Sequence, residues 1–251
     1  MVHFIGAGCG APDFITLRGK SLLEAADVVI YAGSLVNPAL LGYAKNGCEI
    51  YDSAKMTLEE TTAVVRRAEA EGKTTARLHS GDPALYGAIR EQMRELDALG
   101  IAYDVCPGVS AFAGAAAALK AEYTLPGASQ TVILTRCAGR IPVPERESLR
   151  ALAAHGSTMV LFLSAGLLEQ AETELCEGGY APDTPAAIAY KVSWSDEKLL
   201  RCTVSTLRQT AERHGIRSTA LILIGGFLDE AFERSKLYDP AFATGFREAS
   251  E

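Results

Sequence analysis

The sequence predicts an α/β protein in two domains, on three observations. Short apolar runs alternate with amphipathic stretches through the chain, the pattern left when strands alternate with helices. At 251 residues there is length for one large α/β domain or two modest ones, each with its own core. A Pro-Gly break at Leu125-Pro126-Gly127 separates the first alternating set from a second. This places a boundary near residues 120 to 127, with 1–120 and 121–251 as the two domains.

The first set opens with Val2-His3-Phe4-Ile5, a strand ending in a glycine turn. Thr16 to Ala26 reads as a helix, with Thr16 a suitable N-cap and Leu17, Leu22, Leu23 and Ala26 forming one stripe. Val28 to Tyr31 is a second strand, its unbroken apolar run fitting burial on both faces. A helix from Leu58 to Glu71 stops at Gly72. Thr74 to Leu78 is the strand feeding Ser80-Gly81-Asp82-Pro83, and a helix from Ala84 to Leu99 closes at Gly100. Tyr103 to Cys106 is a further strand, followed by an alanine-rich helix from about Ser110 to Leu119. In the second set, strands are expected near 131–135, 159–163, 187–190 and 220–224. Helices are expected near 145–155, 166–178 and 204–214. The end after Tyr238 is polar and is expected to fray.

Composition excludes several classes. Hydrophobic content of 48% and charged content of 22% are ordinary for a globular chain, and no apolar run approaches the roughly 20 residues a bilayer span requires. The start, Met1-Val2-His3-Phe4-Ile5-Gly6, has neither the basic region nor the apolar core of a signal peptide, so a cytoplasmic location is expected. Six cysteines show no C-x-x-C pair and four histidines no ligand spacing. The thiols are read as small buried or semi-buried residues, and no structural metal site is expected. A net charge of −7 argues against a nucleic-acid partner, which needs a basic face.

Three turns concentrate the chemistry. The first, Gly6-Ala7-Gly8-Cys9-Gly10-Ala11-Pro12-Asp13, loosely satisfies G-x-G-x-x-G/A after a strand. Pro12 delays helix entry to about Thr16, and the second strand ends in Tyr31-Ala32-Gly33-Ser34 without the acid that holds a ribose hydroxyl. A nicotinamide Rossmann site is disfavoured; the glycines serve a tight turn and close backbone approach. The second turn, His79-Ser80-Gly81-Asp82-Pro83, puts proline at a first helical position and makes Asp82 the natural N-cap. Alternatively, Gly81 brings backbone to a ligand while the carboxylate accepts from ribose hydroxyls or an amine, since such loops at strand carboxyl ends bind ligands. The residues alone leave both readings open. The third turn, Pro107-Gly108-Val109-Ser110-Ala111, offers the same pair: a Ser110 helix cap, or a hydroxyl and the Ala111 amide facing the same ligand.

The string Phe4-Ile5-Gly6-Ala7-Gly8-x-Gly10-x-Pro12, through Thr16-Leu17-Arg18-Gly19, resembles the opening motif of the tetrapyrrole methylases. Ser80-Gly81-Asp82-Pro83 followed by Tyr86-Gly87 is similar to their second motif, and Pro107-Gly108-Val109-Ser110-Ala111 to their third. Order and spacing match, and the resemblance runs over nearly the whole chain. Cys9 stands where the family usually has proline, a small residue that preserves the turn. Several stretches resemble the branch that methylates C11 of precorrin-4 or cobalt-precorrin-4. They are Tyr31-Ala32-Gly33-Ser34-Leu35-Val36, Arg77-Leu78-His79-Ser80, Leu125-Pro126 with Leu134-Thr135-Arg136, Lys191-Val192-Ser193-Trp194, and Arg217 to Leu223. Uroporphyrinogen methylases carry glycine where this chain has Ser80.

The resemblance implies two αβα domains with the cofactor in the cleft between them, a fold distinct from the Rossmann methyltransferases, and a homodimer. It implies S-adenosylmethionine as methyl donor, leaving S-adenosylhomocysteine, and a polycarboxylate tetrapyrrole of cobalamin biosynthesis as acceptor, with or without cobalt. Carried over by position, the cofactor contacts are Ser80, Gly81, Asp82 and Leu85, then Ser110 and Ala111, then Leu163, Val192 and Ala220. Arg136, Arg140, Lys120 and Lys191 are candidates for the acceptor's carboxylates, because cations pair with them and arginine does so bidentately. Arg136 ranks first because it ends an expected strand; for each, a solvated surface charge is the competing reading. No catalytic dyad or triad is visible. Methyl transfer from a sulfonium disperses charge already present, so alignment and water exclusion serve it, proximity contributing about 7–11 kcal/mol. Competing assignments are another methylase of the superfamily (a precorrin-2 C20-methyltransferase, a diphthine synthase or a ribosomal RNA methylase) and a noncatalytic corrinoid- or nucleotide-binding protein.

Overall fold

The computed structural model describes residues 1–229 and 233–249, and the chain divides into two compact units. The first comprises Met1–Gly114 with Lys191–Glu197, the second Ala115–Tyr190 with Lys198–Glu251. The division falls inside the alanine-rich helix, ahead of the Pro-Gly break, and a short segment from the second half of the sequence belongs to the first unit.

The first unit is built on five parallel strands: β1 (Val2–Gly6), β2 (Val28–Tyr31), β3 (Glu49–Asp52), β4 (Thr75–His79) and β5 (Tyr103–Cys106), in the order β3-β2-β4-β1-β5. Val28, Val29 and Ile30 are wholly buried, as a strand covered on both faces requires. Alternation along the strands sorts the core. Ile5, Val29, Ala76 and Leu78 pack with Leu23 of α1 (Leu17–Ala25). Val2, Phe4, Val28 and Ile30 pack with Val65 and Ala68 of α2 (Leu58–Ala70) and Leu96 of α3 (Ile89–Leu99). The same alternation turns Arg77 and His79 to the α2–α3 face. Thr16 caps α1 by accepting the Gly19 N–H, and Thr57 with Glu60 forms a capping box on α2. Strand β3 is unforeseen, because a four-residue edge strand carries too little alternation to stand out.

One helix differs from its expected span. Periodicity starts it at Ala84, but α3 begins at Ile89. Pro83 to Tyr86 form a turn in which the Leu85 N–H donates to the Asp82 carbonyl at 3.2 Å. Tyr86 and Ala88 have φ of 56° and 49°, left-handed backbone through which an α-helix cannot run. Asp82 is therefore not the N-cap of an α-helix. The unit ends in α4 (Ala111–Leu119), which continues into the second.

The second unit has a mixed sheet of β6 (Val132–Arg136), β7 (Thr158–Phe162), β8 (Pro185–Tyr190), β9 (Lys198–Thr203) and β10 (Ala220–Ile224). Their order is β6-β7-β10-β8-β9, parallel only between β6 and β7. Helices α5 (Leu149–Ala153), α6 (Leu168–Gly178) and α7 (Leu207–Arg213) bury Leu149, Leu175 and Leu207 against Met159, Leu161, Ile188 and Ile222. α5 and α7 start later than expected because 3-10 turns at Glu145–Glu147 and Val204–Thr206 take their first residues.

All six cysteines are free, three of them buried and three half-buried. Among the described residues no helix is long and apolar enough to cross a membrane. In the tail expected to fray, the Arg247 guanidinium donates to the carbonyls of Leu237, Asp239 and Phe242; residues 250 and 251 lie outside the described residues.

Candidate functional site

The sheet order decides which turns meet. β4, β1 and β5 are neighbours, so the turns at their carboxyl ends, far apart in sequence, emerge side by side where ligands of open α/β sheets bind. The Ala7 N–H donates to the His79 carbonyl at 2.8 Å, and Gly8 and Gly81 exchange both backbone hydrogen bonds, at 3.3 and 2.8 Å. Both glycines hold positive φ, 80° and 64°. A Cβ on Gly108 would stand 2.2 Å from the Gly81 carbonyl oxygen and 2.6 Å from the Gly6 Cα. The glycines of the three turns thus meet backbone on backbone. A Cβ on Gly81, by contrast, would meet only ordinary contacts at 3.4 Å, to Ser110 and the Ala111 nitrogen.

Asp82 locks this arrangement. One carboxylate oxygen accepts the Ala84 N–H at 2.8 Å and the other accepts the Gly108 N–H at 2.9 Å, so the side chain both caps its own turn and ties it to the third. Ser110 is buried and its carbonyl starts α4 by accepting from Ala113 and Gly114. Ser80, Gly81, Asp82, Ser110 and Ala111 are thereby gathered in one place, with Leu85 on the adjoining turn.

The segment Lys191–Glu197 is stitched to the first turn. The Ser193 hydroxyl accepts the Ala11 N–H at 2.8 Å and lies 3.4 Å from the Cys9 sulfur, while the Ser193 N–H donates to Glu197 at 2.7 Å. A Cβ on Gly10 would strike the Trp194 ring and the Val192 carbonyl, both at 2.4 Å. Burial pushes the Cys9 thiol pKa up, so this thiol stays protonated and packs as a small apolar group. Val192 is buried here, and Lys191 pairs with Asp196 at 2.6 Å and lies over the Trp194 ring. Ser193 and Trp194 were not expected to hold the first turn; nothing local in the sequence connects positions so far apart.

On the α2–α3 face, at the end of β4, two basic side chains are buried. Arg77 donates to the Gln92 side-chain oxygen at 3.0 Å and to the carbonyls of Ile30 and Leu78 at 3.3 and 3.4 Å. Burial pulls its pKa down to about 10. Burial, and then the neighbouring Arg77 charge, pull His79 down to about 3, so its imidazole is neutral. The Nε2 of His79 has no hydrogen-bond partner among the described residues, an omission that costs about 1–3 kcal/mol for a buried polar group.

The remaining expected residues lie in the second unit. Arg136 ends β6 opposite Phe162 of β7, and Ala220 opens β10 opposite Tyr190. Leu163, exposed and with φ of 52°, directly follows β7. Arg136 is engaged: its guanidinium donates to the carbonyls of Cys137, Ile141 and Pro142 at 3.2, 2.9 and 2.9 Å. Arg140 and Lys120 are exposed. No group of three or more His, Cys, Asp or Glu is placed to hold a metal among the described residues.

A family model described as Tetrapyrrole (Corrin/Porphyrin) Methylases matches residues 1–208. The chain belongs to the tetrapyrrole methylases. A cobalt-precorrin-4 C(11)-methyltransferase of Methanocaldococcus jannaschii is 49% identical to this methylase over 249 residues, covering 99% of this chain and 96% of that one. A precorrin-4 C(11)-methyltransferase of Mycobacterium tuberculosis is 47% identical over 242 residues, 96% of each. Among solved structures, a cobalt-precorrin-4 methyltransferase described as a cobalamin biosynthetic enzyme superposes on this methylase with a TM-score of 0.89. It is 47% identical over 91% of this chain and 95% of that one. The α/β architecture with two sheets is that of the tetrapyrrole methylase fold.

Proposed function

We propose that this tetrapyrrole methylase transfers the methyl group of S-adenosylmethionine to C11 of precorrin-4 or cobalt-precorrin-4, giving (cobalt-)precorrin-5 in corrin-ring biosynthesis. The observation that carries the reading is 49% identity over 99% of the chain to a relative named for that position. The three backbone turns support it, gathered at the strand carboxyl ends where ligands of open α/β sheets bind.

The turns suit a nucleoside-bearing donor. Gly81 presents backbone without a side chain toward Ser110 and Ala111, and Ala111, first residue of α4, has an amide with no intrahelical acceptor. Ser80, Gly81, Asp82, Leu85, Ser110, Ala111 and Val192 are the residues we propose for the donor in the first unit; Leu163 and Ala220 rest on the family resemblance. Arg136, Arg140, Lys120 and Lys191 are proposed for the tetrapyrrole's carboxylates. When bound, the donor supplies an electrophilic methyl group on a sulfonium. The chain's part is to fix the acceptor carbon in line with it and to exclude water. Asp82 serves by holding the second and third turns in register, a role compatible with a contact to the donor. A cytoplasmic homodimer is the state we propose, to be read by light scattering on the purified chain.

Incubation with methyl-labelled S-adenosylmethionine and precorrin-4, with and without cobalt, tests the assignment. Label converting the tetramethylated ring to a pentamethylated one is the expected result; its absence overturns the assignment. Label entering precorrin-2 instead would move the enzyme to the C20 branch.

A further inference from the structure

We propose that Arg77 and His79 form an internal subsite for a carboxylate of a bound reactant, an inference that rests on the methylase reading. Both side chains are more than nine-tenths buried, at 8% and 6% exposure. Arg77 forms no ion pair among the described residues, and its hydrogen bonds run only to neutral oxygens, two of them long. A shortage of acids does not explain this, since the chain carries 31 acidic against 24 basic residues, and Arg67 and Lys73 share the carboxylate of Glu49. A buried cation without a counter-ion is costly, and a buried imidazole nitrogen without a partner adds to that cost. The two lie two residues apart on one face of β4, directly before Ser80-Gly81-Asp82, and the register partner of His79 is the side-chain-free Gly6.

The chemistry on offer selects the ligand. Arg77 brings a permanent charge and planar donors, and neutral His79 brings a single N–H when that proton sits on Nε2. A cation beside a neutral donor fits a carboxylate and rejects an amine, which needs acceptors. The segment between Pro83 and Ala88 leads into α3, which carries the Gln92 partner of Arg77. It is tied to the pair through Gln92, whose side-chain N–H donates to the Ala88 carbonyl at 3.1 Å. Tyr86 and Ala88 hold that segment in left-handed backbone, a strained conformation of the kind found at ligand clamps. The proposed subsite requires that segment to open toward the three turns. Two reactants carry carboxylates: the tetrapyrrole, on its side chains, and S-adenosylmethionine, on its amino-acid end.

His79→Phe, His79→Gln and Arg77→Lys in the full chain test the subsite through three readouts. These are the melting temperature, the Kd for S-adenosylhomocysteine by calorimetry, and the KM for precorrin-4 in the label assay. For His79→Phe the melting temperature should hold or rise, because an unsatisfied buried group is removed, while one affinity weakens about tenfold. His79→Gln, which keeps an N–H, should recover most of that loss. Arg77→Lys, which keeps the charge and loses the fork, should weaken the same parameter by less than His79→Phe does. A change confined to KM assigns the carboxylate to the tetrapyrrole, and a change in Kd assigns it to the amino-acid end of the donor. Unchanged Kd and KM, with or without a lower melting temperature, overturn the subsite. A wild-type enzyme that methylates no precorrin-4 fails the functional reading instead, and the Kd arm still decides the subsite.

Discussion

The carboxyl-end edge of the first sheet and the edge of the second that carries Arg136 are held together by different means. In the first unit, Gly6, Gly81 and Gly108 pack backbone on backbone, with the Asp82 carboxylate as a clasp between two turns. In the second, the loop after β6 is gathered by one long side chain, Arg136, reaching three carbonyls. The first arrangement has no slack, since its atoms are main chain and cannot rotate away. The second rests on a flexible side chain whose bonds are mostly exposed, so its failure is graded. On the proposed assignment, the first would position a small donor rigidly and the second would accommodate a large flexible polyanion.

Substitutions sharpen this contrast. The largest effect is expected from Gly108→Ala, where a single methyl meets three main-chain atoms closer than 3 Å. It should cost roughly 3 kcal/mol in urea denaturation and abolish S-adenosylhomocysteine binding. Gly81→Ala, which meets no clash but keeps φ of 64°, should cost only about 1 kcal/mol. Equal losses would show that the turns have room to separate.

Asp82→Ala comes next. It strips the Gly108 and Ala84 amides of their acceptor and should lower stability by about 2 kcal/mol while weakening S-adenosylhomocysteine binding. Stability lost with Kd unchanged would make Asp82 a clasp alone. Arg136→Ala should be as mild as Gly81→Ala, about 1 kcal/mol in the melting curve because its bonds are partly solvated. It should raise the KM for the tetrapyrrole and spare the donor. The reverse pattern, donor affinity lost and KM kept, would place Arg136 in the wrong site and remove the contrast between the edges.

The central strands were legible because burial on both faces leaves continuous apolar runs, as in Val28 to Tyr31 and Ala220 to Ile224. Edge strands β3 and β9, half-exposed and mixed in character, left no such trace. The three turns were visible through their glycines and their order. The true start of α3 was not, because nothing in Ala84 to Ala88 announces left-handed backbone at Tyr86 and Ala88. Periodicity there describes a helix that tertiary contacts do not allow.

By itself the sequence determined the α/β class, the family, and the turns where glycine is required, since each is written in local composition or in ordered motifs. Only the tertiary structure decided that Asp82 spends both carboxylate oxygens on backbone amides, and that Ser193 and Trp194 hold the first turn. It alone showed Arg77 and His79 buried without a counter-ion among the described residues. These are properties of pairs brought together by strand order, and no residue carries in its own neighbourhood a record of which distant partner the sheet will place beside it.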